Sequence, residues 1–326
     1  MPAHVVVVGA GAWGTALAQV AATAGRRVTL VARRPEHAAE IARGTNPRLP
    51  GVVLDPAIEI TTGEVPDADA VLLVVPAQAL RAVTATLSHL NAPLVICAKG
   101  IERETGLLPT EVLAETLPRA TTAVLSGPNF AAEVARGLPT AVTLACKDAA
   151  TGRALVETLG TATFRPYFTP DTVGAQVGGA LKNVIAIACG VVEGRELGEN
   201  ARAALMTRGL AELGRLNAAL GGSPATLAGL SGLGDLTLCC TSRTSRNYAL
   251  GVALGEGKTV DEATVGGRIL TEGAFTAPAV LARARTLDVE LPITQAVAAV
   301  LRGEADVDDA IHDLLSRPFR DEAAFD

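Results

Sequence analysis

Aromatic side chains make up only 3% of the 326 residues, too few to build the stacking platforms that bind single-stranded nucleic acid. Positive charge is not in excess either, with 28 Lys and Arg against 34 Asp and Glu and a formal net charge of -6. A nucleic acid or an anionic bilayer therefore meets no broad basic surface, and any phosphate must be gripped locally. The five cysteines, Cys97, Cys146, Cys189, Cys239 and Cys240, are odd in number and form no C-x-x-C pair. They read as small buried thiols in a reducing cytoplasm, not as a disulfide framework. The apolar N-terminus lacks the basic flank of a signal peptide. No later run is long enough and free enough of polar residues to be read as a membrane span.

What the chain has in quantity is aliphatic residues and glycine: 49% of it is hydrophobic and 33 residues are Gly. That is enough for two domain cores. Four valines run into glycines over residues 5–14, VVVVGAGAWG. Continuous β-branched residues suit a strand buried on both faces of a parallel sheet, and the small residues of 15–24 suit a helix packed close to it. Gly9, Gly11 and Gly14 then sit at a strand-to-helix turn, where a dinucleotide pyrophosphate is cradled. The next strand, 27–32, ends in Arg33 and Arg34 where an acid would hold the adenosine ribose. Guanidinium groups there suit a 2′-phosphate, which favours NADP(H) over NAD(H).

The βαβ punctuation continues with a short helix over 36–43, a Pro/Gly-rich loop over 45–51, strands at 58–61, 70–75 and 94–98, and a helical pattern from Ala77 to Leu90. Ligands bind beyond the carboxyl ends of such strands, so Lys99 in CAKGI is a candidate. Gly127 and Asn129 in SGPNF are candidates too, Asn129 as N-cap of a helix over 130–136. Strand signals end near Pro170, which divides a dinucleotide-binding domain, 1–170, from an all-helical domain, 171–326.

In the first helix of that second domain Lys182 and Asn183 are the strongly polar pair in a stretch otherwise fit for burial. Burying a lysine is costly. A structural lysine there needs a buried carboxylate partner or a route to snorkel out to solvent. A catalytic one gains from burial, which moves the amine towards the pH at which it trades protons. Further on, GLSGLGDLTLCCTSRTSRN, 229–247, places Asp235 after a glycine turn and Ser245, Arg246 and Asn247 before a helical run from Tyr248. Hydroxyl, guanidinium and amide at a helix start suit a small phosphate. Glu272, in ILTEG, is a candidate cofactor contact.

With VVVVGAGAWGTALA, CAKGI, LSGPNFAAEVA, GALKNVIAIACG, AALMTRGLAELGRL, GLSGLGDLTLCCTSRTSRN and TEG in this order, the chain resembles the bacterial NAD(P)-dependent glycerol-3-phosphate dehydrogenase family. The resemblance implies an α/β fold, a Rossmann-type parallel sheet domain followed by an all-α domain, in a 6-phosphogluconate-dehydrogenase-like arrangement. It implies reduction of dihydroxyacetone phosphate to sn-glycerol 3-phosphate, which supplies glycerophospholipid synthesis. Lys182 would carry the proton. Lys99, Gly127, Asn129, Asp235, Ser245, Arg246 and Asn247 would hold the phosphorylated triose. Gly9, Gly11, Trp13, Gly14, Arg33, Arg34, Lys99, Ala131, Arg246, Leu270 and Glu272 would touch the cofactor. A homodimer stays open. Two rivals stand beside this reading. A ketopantoate-type reductase would share fingerprint and lysine but need not recruit the Ser-Arg-Asn cluster, and a nucleotide sensor would have no use for the lysine.

Overall fold

The computed structural model describes residues 2–264 and 271–318. By its contacts the chain divides into two units, Met1–Lys99 with Pro109–Thr172, and Gly100–Leu108 with Val173–Asp326.

Unit 1 is built on an eight-stranded sheet. In chain order it runs β1 (His4–Val8), α1 (Ala12–Thr23), β2 (Arg27–Val31), α2 (Pro35–Ile41), β3 (Thr45–Asn46), β4 (Leu49–Val53), β5 (Ile58–Thr61) and β6 (Ala70–Leu73). It continues with α3 (Leu80–Thr84), β7 (Leu94–Ile96), α4 (Pro109–Thr116), β8 (Thr122–Ser126), α5 (Ala131–Ala135), β9 (Thr140–Cys146), α6 (Ala149–Leu159) and β10 (Phe164–Thr169). The strand order is β10-β9-β8-β7-β6-β1-β2-β5. The central β1 pairs parallel on both sides, Val5 lying opposite Val28 and Ala70, and all five of its residues are buried. That double burial is why the sequence carries valines without alternation. The chain first builds outward to β5 and then returns past β1 to β6, so the strand order reverses at the glycine turn, where such sheets bind ligands.

Three local expectations differ from the structure. The sheet is not wholly parallel, because β8 and β9 pair antiparallel. The connection between them, residues 127–139, holds the short α5. The helical pattern of 77–90 yields a 3₁₀ turn, Ala77–Ala79, and the single turn and a half of α3. There the Thr84 hydroxyl bonds back to the Leu80 carbonyl and to Thr116, and the Thr86 hydroxyl to the Val83 carbonyl, local bonds that compete with helix continuation. The loop of 45–51 contains an antiparallel pair, β3 with β4.

Unit 2 is helical: α7 (Thr172–Gly194), α8 (Glu199–Ala219), α9 (Pro224–Ala228), a π turn (Leu230–Gly234), α10 (Asp235–Cys240), α11 (Arg246–Gly255), α12 (Val260–Ala263), α13 (Glu272–Thr286), α14 (Pro292–Arg302) and α15 (Val307–Leu315). Helix α7 runs through its core, with every residue from Gly174 to Gly190 buried. By length and composition it could cross a membrane, against the expectation that no stretch could, but 94% of its most apolar window is buried within the protein. Close approach of backbones explains the burial. A Cβ on Gly190 would lie 2.1 Å from the Tyr248 carbonyl oxygen, and one on Gly251 of α11 would lie 1.9 Å from that of Ile187. Gly178 meets the Ser231 carbonyl of the π turn in the same way, at 2.3 Å. The glycine before Lys182 therefore makes room for protein backbone. Ile101 and Leu108, from the short segment assigned to unit 2, lie in the same apolar cluster.

Candidate active site

In unit 1 the glycine turn is rigid because two carbonyls leave no room for a side chain. A Cβ on Gly14 would stand 1.8 Å from the Gly9 carbonyl oxygen, and one on Gly9, whose φ is +115°, would stand 2.3 Å from that of Val74. Around Gly11 the space is open: among the described residues, no atom beyond its own stretch of chain lies within 4 Å of a Cβ position. Gly11 is also the N-cap of α1 and supplies no capping side chain, so the helix start is left for an anion. Trp13 Nε1, Thr61 Oγ1 and Ser126 Oγ are buried without a partner. They belong to the start of α1 and the last residues of β5 and β8. Unmet polar atoms, an uncapped helix start and a glycine cradle beside an open space fit a dinucleotide.

Two residues supporting the turn are absent from the sequence reading. His37 Nε2 donates to the Ala10 carbonyl at 2.9 Å, and Asn46 Nδ2 donates to the same carbonyl at 3.3 Å and to Thr15 Oγ1 at 2.6 Å. Both are buried. A buried histidine on a short helix and an asparagine in a loop were the available signals, and a lone sequence does not say what they face. Arg33 and Arg34 are exposed at the end of β2, with Arg34 as N-cap of α2.

Also in unit 1, Lys99 Nζ and Asn129 Nδ2 both donate to the Gly127 carbonyl, at 2.9 and 2.6 Å, so these three candidates converge. Asn129 is not the N-cap expected of it. Helix α5 starts at Ala131 with Phe130 as N-cap, and the amide folds back on the tight turn at Gly127, whose φ is +136°. Cys97, two residues from Lys99, has a thiol that burial pushes up to about 12, against the pull of Lys99. It stays protonated and inert.

Lys182, in unit 2, is buried with 6% of its side chain exposed, and its ammonium donates to Asp235 Oδ1 at 2.5 Å and to Cys239 Sγ at 3.0 Å. Asp235 is fully buried and opens α10 directly after the π turn; π-helical segments of this kind recur at functional sites. Burial by itself moves the amine towards neutrality, as expected from the sequence. The structure reverses this. Desolvation does press the ammonium to give up its proton, but Asp235 and then Cys239 outweigh it, and the group is held well above the ordinary lysine range. Of the two partners that the sequence offers Asp235, the lysine or a substrate hydroxyl, the structure shows it on the lysine.

The Ser-Arg-Asn cluster opens α11, which starts at Arg246, two residues earlier than expected. Ser245 is its N-cap and accepts from Tyr248 N at 3.3 Å. Arg246 is exposed, whereas Asn247 is buried and donates to Asn183 Oδ1 at 3.0 Å. Asn247 Oδ1 in turn accepts from Gly273 N at 3.0 Å. Asn183 follows Lys182 in the chain, so the amide pair ties the lysine's turn of α7 to the cluster, and Gly273 ties in the start of α13. There Glu272 has its carboxyl raised by burial, a rise that the Arg246 charge opposes. Leu270 lies outside the described residues.

Two family models cover most of the chain: the NAD-dependent glycerol-3-phosphate dehydrogenase N-terminus over residues 4–152 and the C-terminus over 171–312. A glycerol-3-phosphate dehydrogenase [NAD(P)+] of Parvibaculum lavamentivorans is 56% identical over 325 residues, covering 98% of each chain. The chain belongs to this family. The dehydrogenase of the same description from Caulobacter vibrioides is 55% identical over 97% of this chain and 98% of its own. The crystal structure of the Coxiella burnetii glycerol-3-phosphate dehydrogenase superposes with a TM-score of 0.91 at 38% identity, over 97% of this chain and 99% of that one. A probable 2-dehydropantoate 2-reductase of Bacillus subtilis, at 15% identity and a TM-score of 0.60 over 93% of this chain and 100% of its own, shares the fold alone. In this dehydrogenase family the sheet-plus-helix architecture of the two units is therefore the expected one.

Proposed function

We propose that this protein is an oxidoreductase that interconverts dihydroxyacetone phosphate and sn-glycerol 3-phosphate with a nicotinamide dinucleotide, in the cytoplasm, and so supplies glycerophospholipid synthesis. The observation that carries the reading is the Lys182 ammonium. It has three N–H donors; Asp235 and Cys239 take two, which leaves the third for a substrate oxygen. Family membership and the names of the relatives support the same substrate, and the five free, buried thiols suit a reducing compartment. A bound nicotinamide would supply or accept the hydride.

The protein's own part is position and charge. In the reducing direction Lys182 donates a hydrogen bond, then a proton, to the oxygen that becomes the C2 hydroxyl. Its full positive charge, fixed by a buried carboxylate, meets the developing alkoxide without reorganisation. In the oxidising direction the same amine has to accept the hydroxyl proton. Its raised pKa disfavours the free base, so oxidation gains as pH rises into the alkaline range. Arg246, Ser245 and Asn247 bind the phosphate away from the reacting carbon, and that binding energy orients the carbonyl. Lys99, Gly127 and Asn129 are further substrate contacts. Gly9, Gly11, Gly14, Trp13 and Ala131 hold the dinucleotide, with Lys99, Arg246 and Glu272 also reaching it.

Oxidation of NADPH monitored at its absorbance band, with dihydroxyacetone phosphate and then with 2-ketopantoate as acceptor, tests the assignment. Turnover with the phosphorylated ketone and not with the 2-keto acid is expected; the reverse would assign the chain to the other chemistry. Arg33 and Arg34, exposed beyond the end of β2, support NADP(H) over NAD(H), since they would meet a 2′-phosphate held there. Arg33→Asp should shift the ratio of kcat/KM between the two cofactors at least tenfold towards NADH, about 1.4 kcal/mol, because a carboxylate repels the 2′-phosphate and accepts from a free ribose hydroxyl. An unchanged ratio would take Arg33 out of cofactor selection.

A further inference from the structure

Glu193 lies on α7 about three turns beyond Lys182 and has no part in the roles assigned above. Its carboxylate nevertheless gathers side chains from three other places in unit 2. Oε1 accepts from Arg243, with Nε and Nη2 each at 2.6 Å. Oε2 accepts the hydrogen bond of the Tyr248 hydroxyl and lies 3.8 Å from Arg202 Nη1 on α8. The same hydroxyl accepts from Arg202 Nη1 at 3.1 Å, so the phenol has one donor bond and one acceptor bond and both are used.

The arrangement in sequence gives the network its meaning. Arg243 precedes Ser245 and Arg246, and Tyr248 follows them. One carboxylate thus grips the chain on both sides of the Ser-Arg corner. Tyr248 is 1% exposed, so packing fixes the direction of its hydroxyl, and its backbone N–H is the donor that Ser245 caps. An exposed ion pair such as Glu193 with Arg243 is worth little by itself. Joined to a buried phenol and a second guanidinium it sets geometry, as hydrogen-bond networks do. It also occupies Arg243, so that of the two guanidiniums flanking Ser245, Arg246 is the one left to meet an anion.

We infer that Glu193 is a positioning residue for the phosphate of the triose: through Arg243 and Tyr248 it fixes the loop and first helical turn that present Ser245 and Arg246. The inference rests on the phosphate assignment proposed above. The carboxyl is held below the usual glutamate range, by the Tyr248 hydroxyl first and by Arg243 and Arg202 after it, against the effect of burial. The network is therefore charged throughout the neutral range.

The test uses the full chain with saturating NADPH, and compares dihydroxyacetone phosphate with unphosphorylated dihydroxyacetone in wild type, Glu193→Gln, Tyr248→Phe and Arg246→Ala. Calorimetric titration of sn-glycerol 3-phosphate provides a readout that does not depend on turnover. Glu193→Gln and Tyr248→Phe should each raise KM for the phosphorylated ketone about tenfold and weaken glycerol 3-phosphate binding by the same factor. Their kcat should stay within twofold, and kcat/KM for dihydroxyacetone should not change. Arg246→Ala should raise the same KM further. If Arg246→Ala does so while both other variants keep the wild-type KM, the role of Glu193 is overturned and the phosphate assignment survives. An unchanged KM in Arg246→Ala overturns the assignment and the inference with it. Equal losses on both ketones in Glu193→Gln would make the network structural only, which also overturns the inference.

Discussion

Lys182→Ala lowers turnover of dihydroxyacetone phosphate by about 10²–10⁴-fold, the range that a general acid contributes, while KM moves far less. The substitution also removes the Lys182 ammonium from the buried Asp235, and breaking a buried pair costs stability as well as activity. A bare loss of activity is therefore ambiguous, and Lys182→Arg resolves the ambiguity. An arginine keeps a positive charge beside Asp235 but does not release its proton in any accessible range, so the folded variant should still lose at least 10² in kcat. A Lys182→Arg protein with near-normal kcat would reduce the role of the lysine to electrostatics alone. The pH dependence follows from the sign of the shift. A lysine whose folded-state pKa lies above its unfolded value contributes stability that is fully present below the ordinary lysine value near ~10.4. That stability is lost only as pH rises through the raised value. Wild-type melting should then show no loss attributable to this pair up to the ordinary lysine range. In Asp235→Asn, where burial is no longer opposed by a full charge, the alkaline fall in the reduction rate should move to lower pH. A profile that does not move would mean that Asp235 does not hold the proton on Lys182.

Much of this was legible in the chain because each signal had one physical meaning. A run of valines ending at Gly9 forces a doubly buried strand and a turn, and lysine in the middle of an apolar helix is a conflict that only a partner or a function resolves. What stayed hidden was identity across sequence distance. Glu193 and Tyr248 are 55 residues apart, and His37 and Ala10 are 27 apart. No periodicity links such pairs. Asn46 gives no signal because a loop rich in Pro and Gly says nothing about which amide turns inward, and Asn129 differs from the expected cap because a capping residue and a residue folding back on its own turn use the same side chain. The direction of the Lys182 shift went wrong for a related reason. Burial alone lowers a lysine pKa and a touching carboxylate raises it, and which of the two prevails at Lys182 is decided by a contact that only the fold shows.

The second large effect separates two glycines that look equivalent in the fingerprint. Gly14→Ala places a methyl group 1.8 Å from the Gly9 carbonyl oxygen, against backbone that is itself held against Val74. Overpacking of this kind costs about 1–3 kcal/mol or more, and the displaced peptide is one proposed above to hold the dinucleotide. The variant should melt earlier and bind NADPH at least 10²-fold more weakly, about 2.7 kcal/mol. Gly11→Ala meets no atom of another part of the chain within 4 Å among the described residues, and at φ -76° the backbone suits any residue. Its melting temperature should match wild type. Its NADPH affinity should nonetheless fall by a comparable factor, because the space that the methyl enters is the one that a pyrophosphate needs at the start of α1. Fluorescence titration with NADPH beside thermal melting reads both quantities. A Gly11→Ala protein that binds NADPH as wild type does would put the pyrophosphate elsewhere, whereas weak binding with an unchanged melt would assign the open space to the ligand and the closed one to the fold.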